Sequence, residues 1–389
     1  MLSAVERLAP LRPLRILVSR RRATVRDWPP IVTFVLRTAL QRPTPLEVVA
    51  YGASLAAGLV SGIRLEHALV RRRRRRRERP AEAAFEPLPG REYAVITTDG
   101  ISLHVEEAGD PDAALTLVYV HGFTVTQECW WFQRRDLSDL GRAVFYDQRS
   151  HGRSGRADAS SCTIQQLGED LHSVLDQCAP TGPVVLVGHS MGGMTIMALA
   201  EQHPELFGER VIGVALLAIS SGELATVTIG LPALASKALL HLVPLAPQAG
   251  RRSQLIEQRR REDTDIGYVL TDRIAYGQHS SPTLVGLMQR MFAQCSIEAF
   301  TAFLPTFYDH NRREALAGLS AVPVLVLVGD NDLLTPYEHN RAIADELPHS
   351  TFALVPGAGH MVILEEPGRV NVAVRSLVRR ALAGAGSHS

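Results

Sequence analysis

Three residues with the chemistry needed to cleave an ester stand far apart in the chain: Ser190, Asp332 and His360. A serine hydroxyl is a weak nucleophile at neutral pH, so it needs a base within hydrogen-bond reach. A histidine serves as that base when a carboxylate holds its ring in the correct tautomer. Together these residue types predict acyl transfer to and from a serine.

The residues around Ser190 predict a strand, a sharp turn and a helix. Residues 184–187 are apolar and three of the four are β-branched, which is typical of a strand buried on both faces. The turn Gly188-His189-Ser190-Met191-Gly192 follows, and residues 194–200 favour a helix. Glycines on both sides of a strained serine avoid steric clashes across such a turn. The same short pattern also fits an ordinary glycine-rich turn, so its meaning depends on the rest of the chain.

Strand-like apolar runs alternate with helix-like segments over most of the chain, which predicts an α/β fold with a mostly parallel sheet. The first two runs predict a hairpin around Asp99-Gly100, and Thr163 is a predicted helix N-cap. Asp332 and His360 each follow a predicted strand, as Ser190 does. The eight predicted strands cover residues 93–98, 101–105, 115–120, 142–146, 184–187, 211–219, 324–328 and 351–355.

The alternation stops between residues 220 and 315, where helical patterns occur without a convincing strand. Apolar residues recur at three- and four-residue steps over 283–304, which predicts one or two amphipathic helices. We therefore expect a helical cap at 220–315, inserted between the two parts of the sheet domain at 81–219 and 316–389. Such a cap can exclude water and shape an apolar pocket. The alternative is that these helices only pack against one another.

Charge is unevenly distributed, although the net charge of the 389-residue chain is only +1. Residues 1–80 hold 18 arginines and 5 acidic residues, whereas the remainder holds 23 basic and 35 acidic residues. Residues 48–63 carry no charge, and arginines fill positions 71–77. This pattern favours a membrane-associated helix whose basic end, within 48–79, meets anionic lipid, with the catalytic part in the cytoplasm.

Two alternatives for the basic extension at 1–80 remain open. It is a soluble extension of a cytoplasmic protein if the uncharged run at 48–63 stays out of the membrane. A nucleic-acid-binding arm is less favoured, because neither interleaved aromatic residues nor a binding module accompany the arginines. We therefore expect no nucleic-acid partner.

The four cysteines, Cys129, Cys162, Cys178 and Cys295, are far apart and lack the spacing of a zinc site or a disulfide scaffold. We expect them to be small buried residues in a reducing compartment. The sequence also shows no evident metal-ligand cluster and no dinucleotide fingerprint. We therefore expect no cofactor and no bound metal.

Four short motifs stand at the ends of predicted strands: Gly188-His189-Ser190-Met191-Gly192-Gly193, His121-Gly122-Phe123, Gly329-Asp330-Asn331-Asp332 and Gly359-His360. Together they resemble the motifs of the α/β-hydrolase superfamily, and the resemblance covers roughly residues 92–384. That family places its triad in the order serine, acid, histidine. The resemblance implies an eight-stranded, mostly parallel sheet with helices on both faces and an inserted helical cap.

The resemblance also implies a role for each member of the triad. Ser190 would be the nucleophile, and His360 would take its proton and later donate it to the leaving group. Asp332 would orient His360, because the family places its acid three residues after the glycine that ends the strand. Asp330 is the competing carboxylate.

Other positions take their expected roles from the same resemblance. The backbone N–H groups of Phe123 and Met191 would form the oxyanion hole. His121 and His189 would support the site without acting as bases. In the turn at 147–154, Ser150 replaces the glycine of the family pattern, which leaves the local backbone conformation in question.

The resemblance predicts a serine hydrolase that cleaves carboxylic esters, as a lipase or esterase does. The apolar residues of the predicted cap favour a small-molecule ester with a hydrophobic acyl or alcohol group as substrate. Serine at the elbow argues against epoxide hydrolases and haloalkane dehalogenases, in which the family uses aspartate. Carbon–carbon bond hydrolysis and cofactor-free perhydrolysis remain alternatives on the same triad. A ligand-binding protein without turnover is a further alternative, and the sequence does not specify the oligomeric state.

Overall fold

The apolar runs of the sequence form one eight-stranded sheet. The computed structural model describes residues 85–222, 224, 271–278 and 280–386. The strands lie in the order β1-β2-β4-β3-β5-β6-β7-β8. Pairing of β2 with β1 and with β4 is antiparallel, and every other neighbouring pair is parallel. The strands are β1 (Arg91–Ile96), β2 (Ser102–Ala108), β3 (Thr116–Val120), β4 (Arg142–Tyr146), β5 (Val184–His189), β6 (Val211–Leu217), β7 (Val324–Gly329) and β8 (Ser350–Val355).

Helices connect the parallel strands, as the alternating pattern predicted. Thr163 caps the helix between β4 and β5, since its hydroxyl accepts the N–H of Gln166 at 3.1 Å. Residues 271–275 are also helical. The further α-helices are α1 (Trp131–Asp136), α2 (Ile164–Cys178), α3 (Met191–Gln202), α4 (Pro282–Gln294), α5 (Ile297–Tyr308), α6 (Leu316–Leu319), α7 (Tyr337–Glu346), α8 (Val362–Glu365) and α9 (Pro367–Ala385).

The central strands are buried on both faces, which explains their continuous apolar sequence. Side chains of successive strand residues point to opposite faces. Leu117 and Val185 therefore join a core cluster that includes the apolar stripe of α9. Val118 and Leu186 join the opposite cluster with residues of α2, α3 and α7. The prediction of an eight-stranded, mostly parallel sheet with helices on both faces is confirmed.

The described part of the predicted cap is mainly helical. Helices α4 and α5 lie between β6 and β7 in the chain. The predicted amphipathic stretch at 283–304 is two helices, because Ser296 begins a new one by accepting the N–H of Ala299 at 3.1 Å. Residues 225–270 lie outside the described residues, so the full extent of the cap stays a prediction.

The N-terminal extension falls outside the described residues, and with it the uncharged run at 48–63 and the arginines at 71–77. Among the helices that the structure does describe, none is both long and apolar enough to cross a bilayer. The four cysteines lie within the described residues, and all are buried thiols without a disulfide, which confirms their expected burial.

Candidate active site

Ser190 occupies the sharp turn between β5 and α3, as the sequence pattern predicted. Its backbone has φ 53° and ψ −121°, a conformation that a residue with a side chain rarely adopts. The N–H of Ser190 donates to the carbonyl of Leu217 at the end of β6, at 3.0 Å. The turn therefore projects the serine at the carboxyl edge of the sheet, next to the first turn of a helix.

The glycines beside Ser190 are required by close backbone contacts. A Cβ atom on Gly192 would lie 2.0 Å from the carbonyl oxygen of Val120, and one on Gly188 would lie 2.7 Å from the carbonyl oxygen of Gly192. A Cβ on Gly122 would lie 3.1 Å from the Cβ of Ser190. Larger residues would displace the backbone of the turn, so the steric reason inferred from the sequence is confirmed.

Ser190, His360 and Asp332, which are far apart in the sequence, are joined by one chain of hydrogen bonds. The Nε2 atom of His360 lies 2.9 Å from the Oγ of Ser190. On the other side of the ring, Nδ1 lies 2.9 Å from the Oδ2 of Asp332. This geometry leaves Nε2 free to accept the serine proton if Nδ1 carries its hydrogen toward the carboxylate.

The protein surroundings keep Asp332 ionised although the residue is buried. Burial by itself would raise the pKa of this carboxyl group, but His360 and the hydrogen bonds from Thr335 lower the pKa below its usual value. The backbone N–H groups of Leu334 and Thr335 donate to Oδ1, and the Thr335 hydroxyl donates to Oδ2. An ionised carboxylate is the partner that an imidazolium requires.

Asp330, the competing carboxylate, faces away from the histidine. Its side chain accepts the N–H of Gly357 at 2.6 Å and is exposed. Of the two candidate acids, only Asp332 contacts His360.

His121 and His189 lie beside the site but are held as neutral rings. Burial lowers the pKa of His121 to about 4 and that of His189 to about 3. His121 donates from Nδ1 to the carbonyl of Gly122 and accepts the N–H of Gln148 at Nε2. His189 donates from Nε2 to the carbonyl of His360 at 2.8 Å. These contacts support the loops of the site.

The expected oxyanion donors belong to two segments next to Ser190. Met191 is the first residue of α3, where backbone N–H groups have no partner within the helix. Phe123 follows Gly122, whose position against the Ser190 side chain brings the 121–123 loop beside the serine. The placement is compatible with the expected oxyanion hole, whose function stays a prediction.

An aromatic cluster lies next to this loop. The ring of Phe123 stacks on Phe300 with 5.3 Å between centroids, and Phe307 lies at 4.9 Å. Phe303 is in the same cluster at 6.1 Å. Helix α5 thus supplies apolar side chains immediately beside the residue that carries one of the expected oxyanion donors.

The sequence reasoning missed Glu365, which holds the loop of His360. Its Oε1 accepts the N–H of Gly359 at 2.7 Å, and Oε2 accepts that of Gly277 at 3.0 Å. Burial raises the pKa of this carboxyl group to about 7. No local pattern indicated the contact with Gly277, because the two residues are 88 positions apart.

The turn that contains Ser150 is held by buried polar contacts. Ser150 keeps a left-handed backbone with φ 63°, the conformation for which the family pattern has glycine. Its hydroxyl accepts the N–H of Ala157 at 3.0 Å. The adjacent Arg149 is buried and pairs with Asp170 and Asp99. The replacement of glycine therefore leaves the turn intact.

The fold and the site are those of a known family. A family model described as the alpha/beta hydrolase family matches residues 117–373, a stretch that includes Ser190, Asp332 and His360. The chain belongs to this family, which confirms the resemblance seen in its motifs.

Curated relatives match most of the chain at modest identity. A 3-oxoadipate enol-lactonase 2 from Acinetobacter baylyi is 25% identical over 289 residues, which cover 73% of this chain and 96% of that protein. The sn-1-specific diacylglycerol lipase ABHD11 of Mus musculus is 26% identical over 273 residues, which cover 69% of this chain and 83% of the lipase. An epoxide hydrolase from Caballeronia sordidicola is 37% identical, but over 130 residues that cover only 33% of this chain and 38% of that protein.

Solved structures show the same likeness. A thermophilic esterase from Thermogutta terrifontis has a TM-score of 0.57 and 25% identity, with 75% of this chain and 99% of the esterase covered. Family membership and these neighbours show that the protein is a hydrolase of the alpha/beta type.

Proposed function

We propose that the protein is a serine hydrolase that cleaves carboxylic esters through an acyl-enzyme. Ser190 is the nucleophile, His360 the base and acid, and Asp332 the residue that orients the histidine. The observation that supports this proposal most is the pair of 2.9 Å contacts that link Asp332 to His360 and His360 to Ser190. A non-catalytic binding protein would have no need of this arrangement at a strained turn.

The reaction follows from the order of these contacts. His360 takes the Ser190 proton at Nε2 while Oγ bonds to the substrate carbonyl carbon. The backbone N–H groups of Phe123 and Met191 stabilise the negative charge on the carbonyl oxygen. The histidine then donates its proton to the departing alcohol, and an acyl group remains on the serine. Water, activated by the same imidazole, hydrolyses this acyl-enzyme and restores the free serine.

The surroundings of the serine favour a hydrophobic ester. Phe300 and Phe307 of the proposed cap at 220–315 pack on Phe123 of the sheet domain, and together they form an apolar surface where one arm of the substrate would lie. The enol-lactonase and the diacylglycerol lipase among the relatives support an ester as the cleaved bond. The partial match to an epoxide hydrolase weighs less, because the elbow of this chain carries serine, whereas in that class the family uses aspartate.

Turnover of a chromogenic ester series with acyl chains of increasing length tests this proposal on the full-length protein. Replacement of Ser190 by alanine should lower kcat by about 10⁶. Ser320→Ala, at an exposed serine, is the matched control and should leave turnover unchanged. If both variants keep wild-type turnover, Ser190 is not the nucleophile. If the folded protein hydrolyses no ester, carbon–carbon hydrolysis or perhydrolysis replaces the proposed reaction.

We also propose that residues 48–79 bind an anionic membrane surface on the cytoplasmic side. The support is the uncharged run at 48–63 and the seven arginines that follow it. The full-length protein should sediment with vesicles that contain anionic lipid. A variant with glutamine at 71–77 should sediment less. Equal sedimentation of both proteins, or none with either, would refute the proposal.

A further inference from the structure

Side chains with metal-binding chemistry gather on the opposite end of helix α3 from Ser190. Glu169 and His172 lie on α2, and His203 follows the last residue of α3. One ligand atom from each of the three lies within 4.8 Å of the other two. Because α3 has 12 residues, about 18 Å of helix separates this group from the proposed catalytic serine.

The packing of α2 against α3 brings the two histidines together. Their ring centroids are 3.9 Å apart, and the ring planes differ by 30°. The Nε2 atom of His203 lies 3.5 Å from Oε2 of Glu169. Glu169 and His172 are three residues apart on one helix, so both side chains reach the same face. The three side chains are partly buried, which limits their freedom before any ion binds.

Each of the two imidazoles also has a further carboxylate next to one of its ring nitrogens. Oε1 of Glu205 is 3.3 Å from Nδ1 of His203, on the side of the ring away from Glu169. Oδ2 of Asp176 is 3.5 Å from Nε2 of His172, and Arg210 fixes Asp176 through a 3.1 Å contact to Oδ1. Metal-bound histidines commonly have such a carboxylate at their other ring nitrogen, where it fixes the ring and raises its basicity.

We propose that Glu169, His172 and His203 bind one divalent ion of the zinc type, with water completing the coordination. Two imidazoles and one carboxylate are a ligand set suited to Zn²⁺ and its neighbours, in contrast to the all-oxygen sets of Mg²⁺ and Ca²⁺. In a tetrahedral zinc site, donor atoms at about 2.0–2.2 Å from the metal lie roughly 3.3–3.5 Å from each other. The His203–Glu169 distance of 3.5 Å already meets this requirement.

The ion would join α2 to the end of α3, so its effect is on stability and not on the ester reaction. The sequence did not indicate this site, because its residues are separated by 3 and then 31 positions and form no familiar spacing. The proposal departs from the expectation of no bound metal that was drawn from the sequence.

Calorimetric titration of chelator-treated full-length protein with ZnCl₂ tests the site. Wild type should bind one equivalent, and His172→Gln and His203→Gln should each lose that binding. Glu205→Gln removes no ligand and should weaken affinity about 10–100-fold. His349→Gln, at an exposed histidine elsewhere, should bind as wild type does.

Thermal unfolding gives a second measure. Zinc should raise the Tm of wild type and of His349→Gln but not that of His203→Gln. If either ligand variant fails to fold, the zinc affinity of Glu205→Gln, compared with that of wild type, decides the test. The proposal is overturned if wild type shows no saturable binding, or if the ligand variants and Glu205→Gln all bind zinc as tightly as wild type, which would mean adventitious binding elsewhere.

Discussion

Replacement of Asp332 by asparagine should disable His360 as the proposed base, because the ring proton would move from Nδ1 to Nε2. The backbone N–H groups of Leu334 and Thr335 both donate to Oδ1, at 2.8 and 2.9 Å. Because these donors are fixed, the carbonyl oxygen of asparagine would occupy that position and its NH₂ group would replace Oδ2. The NH₂ group would then donate to Nδ1 of His360. Nε2 would carry the ring proton toward Ser190 and could not accept another.

The alternative orientation of the asparagine is costly. It would leave the N–H groups of Leu334 and Thr335 without their acceptor, at about 1–3 kcal/mol each. The sum, about 2–6 kcal/mol, corresponds to a loss of roughly 30-fold to 10⁴-fold in rate. Loss of the negative charge beside the imidazolium lowers the rate further, so we expect kcat to fall by about 10³–10⁴.

Initial rates with a chromogenic short-chain ester measure this loss against a matched control. Asp330→Asn changes the neighbouring carboxylate, which accepts the N–H of Gly357. An amide oxygen can accept that bond equally well, so the control should keep wild-type kcat within a few-fold. The reasoning fails if Asp330→Asn loses as much activity as Asp332→Asn, or if folded Asp332→Asn stays within about tenfold of wild type.

Three further changes test the account. Gly192→Ala would place a methyl group 2.0 Å from a backbone carbonyl oxygen, so it should lower the free energy of unfolding by about 3 kcal/mol or prevent folding. Gly286→Ala is the control, in a helix with open space around the glycine, and it should raise the free energy of unfolding by about 0.5–1 kcal/mol. Urea unfolding measures both changes. Phe123→Ala keeps its backbone N–H, so kcat for a short-chain ester should change less than tenfold. Because the apolar ring is lost, KM for long-chain esters should rise. An equal loss of kcat/KM for short and long esters would contradict the apolar role of Phe123. Burial raises the pKa of Glu365 to about 7, so between pH 4.5 and 7 this carboxyl group binds a proton on folding. The free energy of unfolding of wild type should therefore fall, relative to that of Glu365→Gln, by up to about 3 kcal/mol as pH rises from 4.5 to 7. A difference between the two proteins that does not change with pH in urea unfolding would contradict this.

Most of the sheet could be predicted from the sequence, because a strand that is buried on both faces has apolar residues at nearly every position. The residues of β3, β5 and β7 are all buried, so each strand is a continuous apolar run. The meeting of the three residues of the proposed triad was also predictable, since each follows a parallel strand and such residues gather at one edge of the sheet. The elbow added a second local constraint, because only glycine fits the contacts around Ser190.

Other features depend on tertiary packing, which no local pattern records. Glu365 meets Gly277 only after the chain has returned to the loop of the proposed catalytic histidine. Likewise, His172 and His203 meet because α2 packs on α3. The membrane prediction for 48–79 concerns residues outside those that the structure describes, so it stays a prediction.

Covalent trapping of the proposed nucleophile tests the central claim most directly. A fluorophosphonate reacts with a serine that is activated by a neighbouring base, and the adduct is visible by intact-protein mass spectrometry. We expect one adduct per full-length chain, located on the peptide that contains Ser190, together with complete loss of ester turnover. An adduct that persists in Ser190→Ala, or ester turnover that survives in a protein fully labelled at Ser190, would contradict the account.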